Sequence, residues 1–93
     1  MSELASCYIL TKGRVQGVGF RYYISRLADS LGLKGYVRNL DRGDVEIEVE
    51  GDKDIITGFL DELREGKMRN YIVDLQIQWN DYAHKYDSFN IAF

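Results

Sequence analysis

Apolar and polar positions along this chain follow two periods. Between Ala5 and Thr11 the run Cys7, Tyr8, Ile9 and Leu10 is almost unbroken, which predicts a strand buried on both faces and central in its sheet. A glycine-punctuated segment follows, Gly13-Arg14-Val15-Gln16-Gly17-Val18-Gly19. Phe20, Ile24, Leu27, Ala28 and Leu31 then recur at helical spacing, and Gly32 stands where a left-handed C-terminal cap is wanted, with Leu33 as its apolar contact. Tyr36 to Asn39 reads as a second strand, and Asp41-Arg42-Gly43-Asp44 as a turn. In the next strand Val45, Ile47 and Val49 alternate with Glu46, Glu48 and Glu50, so one face is expected to pack and the carboxylates to face water. Asp52 is placed to cap a second helix, whose stripe is Ile55, Ile56, Phe59, Leu60 and Leu63 and which closes at Gly66. Beyond the loop 67–70, Tyr71, Val73, Leu75, Ile77 and Trp79 alternate along a fourth strand, and a polar connection leads to a short alternating strand at 89–93.

Strand, helix, strand, strand, helix, strand is the order of an α+β, ferredoxin-like split β-α-β sandwich: an antiparallel sheet, two helices on one face, and here a short fifth strand. With the first and third strands central, the chain's reversals bring the 13–19 loop, Asn39 and the 67–70 loop to one end. The first and second strands both flank the third, so their axes lie about 9.6 Å apart. Groups carried by the two can face one ligand.

Composition narrows this picture without changing it. Ninety-three residues, 45% hydrophobic and 29% charged, predict one globular domain over 1–93 with no linker or internal repeat. Twelve basic against fifteen acidic residues leave a net charge of -3, which argues against a general nucleic-acid partner. Cys7 has no second cysteine to pair with, and no apolar run nears the about 20 residues of a membrane span. The expectation is a soluble, cytoplasmic monomer.

The chemistry concentrates between Gly13 and Arg21. A glycine-rich loop running into a helix N-terminus turns several backbone N–H groups toward one point, a cradle for a tetrahedral anion. Arg21 at the helix start adds a guanidinium fork matched to phosphate oxygens. The glycine spacing lacks the lysine and hydroxyl of a nucleotide-binding loop, so nucleotide binding is disfavoured.

Gly13-Arg14-Val15-Gln16-Gly17-Val18-Gly19-Phe20-Arg21, with Leu31-Gly32-Leu33-Lys34-Gly35-Tyr36-Val37-Arg38-Asn39, strongly resembles the acylphosphatase family, and the likeness runs over essentially the whole chain. The resemblance implies hydrolysis of the carboxyl–phosphate anhydride of acyl phosphates, without metal or cofactor. By matching motif it implies Arg21 and Asn39 as the catalytic residues, Arg21 binding phosphate and Asn39 positioning water. It implies the backbone of Val15, Gln16, Gly17, Val18, Gly19 and Phe20 as the phosphate cradle, with inorganic phosphate as product and inhibitor. The chain departs from the family pattern at Lys67 after Gly66, where proline is common. It departs again at Arg42 before Gly43, at Leu40 after the asparagine, and at Tyr36 in place of a frequent tryptophan.

Other conspicuous residues read as structural. Arg14 is expected to be solvated, Arg38 to form an ion pair on the opposite face from Asn39, and Cys7 to be a small core residue. His84 reads as a surface histidine, and Lys67 and Arg69 as loop charges with some scope for steering anions. Two other functions are compatible with the architecture. A non-catalytic module binding acyl or carbamoyl phosphate is one, disfavoured here because no zinc-binding cysteine pairs accompany it. An RNA-binding sheet is the other, and it would need exposed aromatics where the chain places glutamates.

Overall fold

A computed structural model describes residues 3–93. The elements are β1 (Leu4–Gly13), α1 (Phe20–Ser30), β2 (Lys34–Asn39), β3 (Val45–Asp52), α2 (Lys53–Glu65), a 3-10 turn (Arg69–Tyr71), β4 (Ile72–Asp81) and β5 (Phe89–Ala92). Across the sheet their order is β4, β1, β3, β2, β5. The first four strands pair antiparallel as expected, but β5 runs parallel to β2, so the sheet is mixed. No helix among the described residues is long and apolar enough to cross a membrane.

Local sequence explains the helix ends. After α1 the N–H of Gly32 donates to Asp29 and that of Leu33 to Ala28, at 3.1 and 3.0 Å, with Gly32 at φ 70°. That is the glycine-terminated arrangement expected from Gly32-Leu33. At the start of α2, Asp52 Oδ1 accepts from the N–H groups of Asp54 and Ile55 at 2.9 and 3.2 Å.

The core lies between the helices and the face carrying Cys7, Ile9, Val37, Val45, Ile47 and Val49, against which Phe20, Ile24, Phe59 and Leu63 pack. Cys7 is fully buried there as a free thiol, and burial pushes its pKa up to about 11. Ile55, assigned to the buried stripe of α2, is instead 40% exposed at its edge. Along β4 the alternation fails at its start: pairing with β1 slips between Lys12 and Gly13, Ile72 turns inward, and Val73 is 83% exposed. One bulged residue reverses the parity of everything before it, which moves Tyr71 and Val73 off the core side.

The carboxylates of β3 are the largest departure from expectation. Glu46, Glu48 and Glu50 do not face water; they are 9, 9 and 2% exposed. Glu46 accepts from the hydroxyls of Tyr8 and Tyr36 at 2.5 and 2.9 Å and is ion-paired with Arg38 at 2.7 Å. Tyr86 donates to Glu48, and Lys85 is ion-paired with it at 2.9 Å. Glu50 accepts from the backbone N–H groups of Ala83 and Lys85 at 3.0 and 2.8 Å. The connection from β4 to β5 crosses this face and covers it, so the carboxylates are shielded but satisfied.

Candidate active site

The loop leaving β1 reaches α1 through glycines in the positive-φ region: Gly13 at 134°, Gly17 and Gly19 each at 79°. An added Cβ at Gly17 or Gly19 would meet nothing within 4 Å. Glycine is therefore needed there for its left-handed backbone, not for room. Val15 and Phe20, each 1% exposed, anchor the two ends of this stretch in the core.

Gly19 is the N-cap of α1, and neither a side-chain cap nor an acidic residue in the first turn satisfies the helix N-terminus. The first bond of the helix is Tyr23 N–H to Gly19 at 3.0 Å. The N–H groups of Phe20, Arg21 and Tyr22 thus have no acceptor within the helix, and the positive end of its dipole meets the loop. α2 differs, since Asp52 and Asp54 supply negative charge from within the chain.

Asn39 ends β2 opposite Val45, on the same face as Val37 and hence on the helix side. Its Oδ1 is shielded from solvent and has no hydrogen-bond donor among the described residues. Arg38, one residue earlier, points to the other face, where its ion pair with Glu46 fixes the strand end. Burial acts to raise the Glu46 pKa, but hydrogen bonds from Tyr8 and Tyr36 and the Arg38 charge outweigh it and hold the carboxyl below its ordinary value. Burial and the Glu46 carboxylate together push Tyr8 up to about 12.

These parts meet in one cleft of about 260 Å³. Val15, Gly17 and Gly19 of the loop, Phe20, Arg21 and Tyr22 of α1, Asn39 of β2, and Ile91 and Phe93 at the end of β5 line it. Arg21 is half-buried and makes no ion pair among the described residues; its guanidinium lies 5.2 Å from the centre of the Phe93 ring. The cleft is therefore cationic and rich in N–H donors at one side, and apolar at the other.

The cradle expected over Val15 to Phe20 is one of backbone N–H groups, and the side chains of Gln16 and Val18 are engaged elsewhere. The side-chain amide of Gln16 turns away to donate to the carbonyls of Leu40 and Asp44, at 2.8 and 2.9 Å, and Val18 packs against the core. Only their backbone groups are left to serve a ligand. Ile91 and Phe93 were not foreseen, because their position depends on the parallel pairing of β5, which sets Ala92 opposite Arg38. His84 is exposed and contacts Tyr82, and among the described residues no three His, Cys, Asp or Glu side chains group as for a metal ion.

Comparison with known proteins agrees with this geometry. The acylphosphatase family model matches residues 7–91. The acylphosphatase of Bacillus pumilus is 42% identical over 85 residues, covering 90% of this chain and 93% of that protein. The crystal structure of acylphosphatase from Bacillus subtilis superposes with a TM-score of 0.88 at 33% identity, covering 98% of this chain and 100% of the other. Full-length HypF, in its phosphate- and nucleotide-bound form, superposes at 0.84 and 29% identity, covering 100% of this chain but 12% of that one.

Fold and cleft together define a ferredoxin-like α+β sandwich with a cleft where a glycine loop enters a helix. The chain belongs to the acylphosphatase family. It is a hydrolase whose substrates are small-molecule acyl phosphates, cleaved to carboxylate and inorganic phosphate.

Proposed function

We propose that Arg21 and Asn39 are the catalytic residues of this hydrolysis. In this reading the phosphoryl group rests on the backbone N–H groups of Val15, Gln16, Gly17, Val18, Gly19 and Phe20, with the Arg21 guanidinium against its oxygens. The observation that carries the reading is the shared cleft of Arg21, free of ion pairs among the described residues, and Asn39, whose shielded Oδ1 is an acceptor without a donor. Water donating one hydrogen to Asn39 Oδ1 is held with a lone pair toward phosphorus. Its oxygen forms the new P–O bond, and the bond to the acyl oxygen breaks with its electron pair leaving on the carboxylate. The water proton passes to a phosphate oxygen or to solvent. An acyl phosphate is already an activated anhydride, so orientation and charge stabilisation suffice, and no cofactor enters.

Inorganic phosphate, the product, fits the same seat and inhibits. Residues 1–93 act as one domain, as a cytoplasmic monomer; a buried, unpaired Cys7 suits a reducing compartment. Nucleic acid is not a partner in this reading, since the sheet face away from the helices carries hydrogen-bonded glutamates under the β4–β5 connection instead of free aromatic platforms.

Arg21→Ala tests the proposal. It is expected to lower kcat/KM for benzoyl phosphate on the order of 10³-fold, by analogy with phosphoryl-clamping arginines, and to weaken competitive inhibition by phosphate. A folded variant with near-normal kinetics would remove Arg21 from the mechanism.

A further inference from the structure

A second cleft of about 420 Å³ opens beside the first, lined by Gly19, Tyr22, Tyr23, Arg26, Lys67 and Met68. Gly19 and Tyr22 line both, so the two clefts adjoin at the N-terminus of α1. We propose that this second cleft is a subsite for a second anionic group, selecting acyl phosphates whose acyl chain ends in a carboxylate or phosphate. The proposal rests on the phosphate seat described above and extends it to the other end of the substrate.

Charge supports it first. Among the described residues, five of the chain's twelve cations are ion-paired: Lys12, Arg38, Lys53, Arg64 and Lys85. Arg14, Arg21, Arg26, Arg42, Lys67 and Arg69 have no ion pair among the described residues; five of these belong to the end of the fold where the glycine loop lies, and Arg26 stands in the second half of α1. Among the described residues Lys34, at the start of β2, is the one unpaired cation at the opposite end. A chain of net charge -3 thus gathers most of its cations without an ion pair toward the end that carries the glycine loop.

Side-chain placement supports it second. Arg26 lies seven residues beyond Gly19, about 10 Å along the helix, and its side chain runs back toward the N-terminus. There Nη1 donates to the Tyr22 hydroxyl at 3.0 Å, and the guanidinium sits 5.7 Å from the centre of that ring. Lys67 Nζ lies 5.6 Å from the centre of the Tyr23 ring. The nearby Glu62 carboxylate accepts from the Tyr23 hydroxyl at 2.8 Å, and no acidic side chain lines the cleft. Each cation thus lies against an aromatic ring, which attracts it without neutralising its charge. A phosphate seated at the loop leaves a four-carbon acyl chain free to pass Tyr22 and set its terminal carboxylate between Arg26 and Lys67. An acetyl group is too short to do so.

The test compares succinyl phosphate with acetyl phosphate at one ionic strength, using the parent, Arg26→Gln, Lys67→Gln, the double variant and Lys34→Gln. The ratio of kcat/KM, succinyl over acetyl, is expected to fall about tenfold in the double variant, chiefly through KM for succinyl phosphate. This is the scale of losing charge-assisted hydrogen bonds. Each single variant should show part of the fall, and Lys34→Gln should keep the parent's ratio. Both substituted side chains are exposed, and circular dichroism checks the fold. An unchanged ratio would overturn the subsite, as would equal loss on both substrates, the mark of general anion steering. Turnover of acetyl phosphate by the parent keeps the two levels apart: a parent inactive on both substrates would overturn the underlying reading as well.

Discussion

The side-chain amide of Gln16 donates to the main-chain carbonyl of Leu40 at 2.8 Å, tying the glycine loop to the residue that follows Asn39. A second bond from the same nitrogen reaches the carbonyl of Asp44 at 2.9 Å. One side chain thus sets the distance between the N–H groups of the loop and the amide of Asn39. It also accounts for the tolerance of leucine at position 40, since the contact uses the backbone of that residue.

Gln16→Ala is therefore expected to loosen the site more than the fold. The Leu40 carbonyl still accepts from Gly43, and the Asp44 carbonyl from Leu40, so neither is orphaned. The stability loss should be about 1–2 kcal/mol. Misplacement by about 1 Å should cost up to about 10²-fold in kcat. Denaturant titration and steady-state kinetics on one preparation check this, and unchanged kcat with lowered stability would assign Gln16 to the fold alone.

The candidate site was legible in the sequence as a cluster because most of its parts are contiguous. Gly13 to Arg21 carries loop, helix start and guanidinium in one stretch, and strand alternation placed Asn39 opposite to Arg38. What could not be read depended on distant segments. The period of β3 identified the face carrying Glu46, Glu48 and Glu50, but not the connection that lies over it. The same connection determines that β5 runs parallel to β2 and brings Ile91 and Phe93 to the cleft. At Val73 a bulge broke the parity that alternation assumes.

The tyrosine–glutamate network should confine stability to a pH window. Glu46 has its folded pKa lowered, so its contribution is complete above the unfolded value of about 4.3 and is lost as pH falls through the lower folded value. Tyr8 is raised to about 12, so its contribution is complete below about 10 and is lost as pH rises between the two. Melting temperatures of the parent and Glu46→Gln should differ most near neutrality and converge in acid. A gap that stays constant with pH would contradict this assignment.

Glu50 fastens the connection that precedes β5. Glu50→Gln replaces an acceptor of two N–H groups with an amide that can serve one, at a cost of about 1–3 kcal/mol. Hydrogen exchange should accelerate in residues 82–92, and KM should rise because Ile91 and Phe93 lose their support. Unaltered exchange across that segment would show that the strap is held by other contacts.

Calorimetric phosphate binding measured beside turnover of benzoyl phosphate separates the proposed roles of Arg21 and Asn39. Asn39→Ala should leave the seat at Val15 to Arg21 in place, so phosphate affinity should change little while kcat falls by roughly 10²-fold or more, the scale of a polar group acting in the transition state. Asn39→Asp should give no rescue, because a carboxylate repels the anionic substrate. If folded Asn39→Ala instead loses phosphate affinity in proportion to its rate, Asn39 binds phosphate and does not orient water. If neither quantity changes, the shielded amide has no part in the reaction.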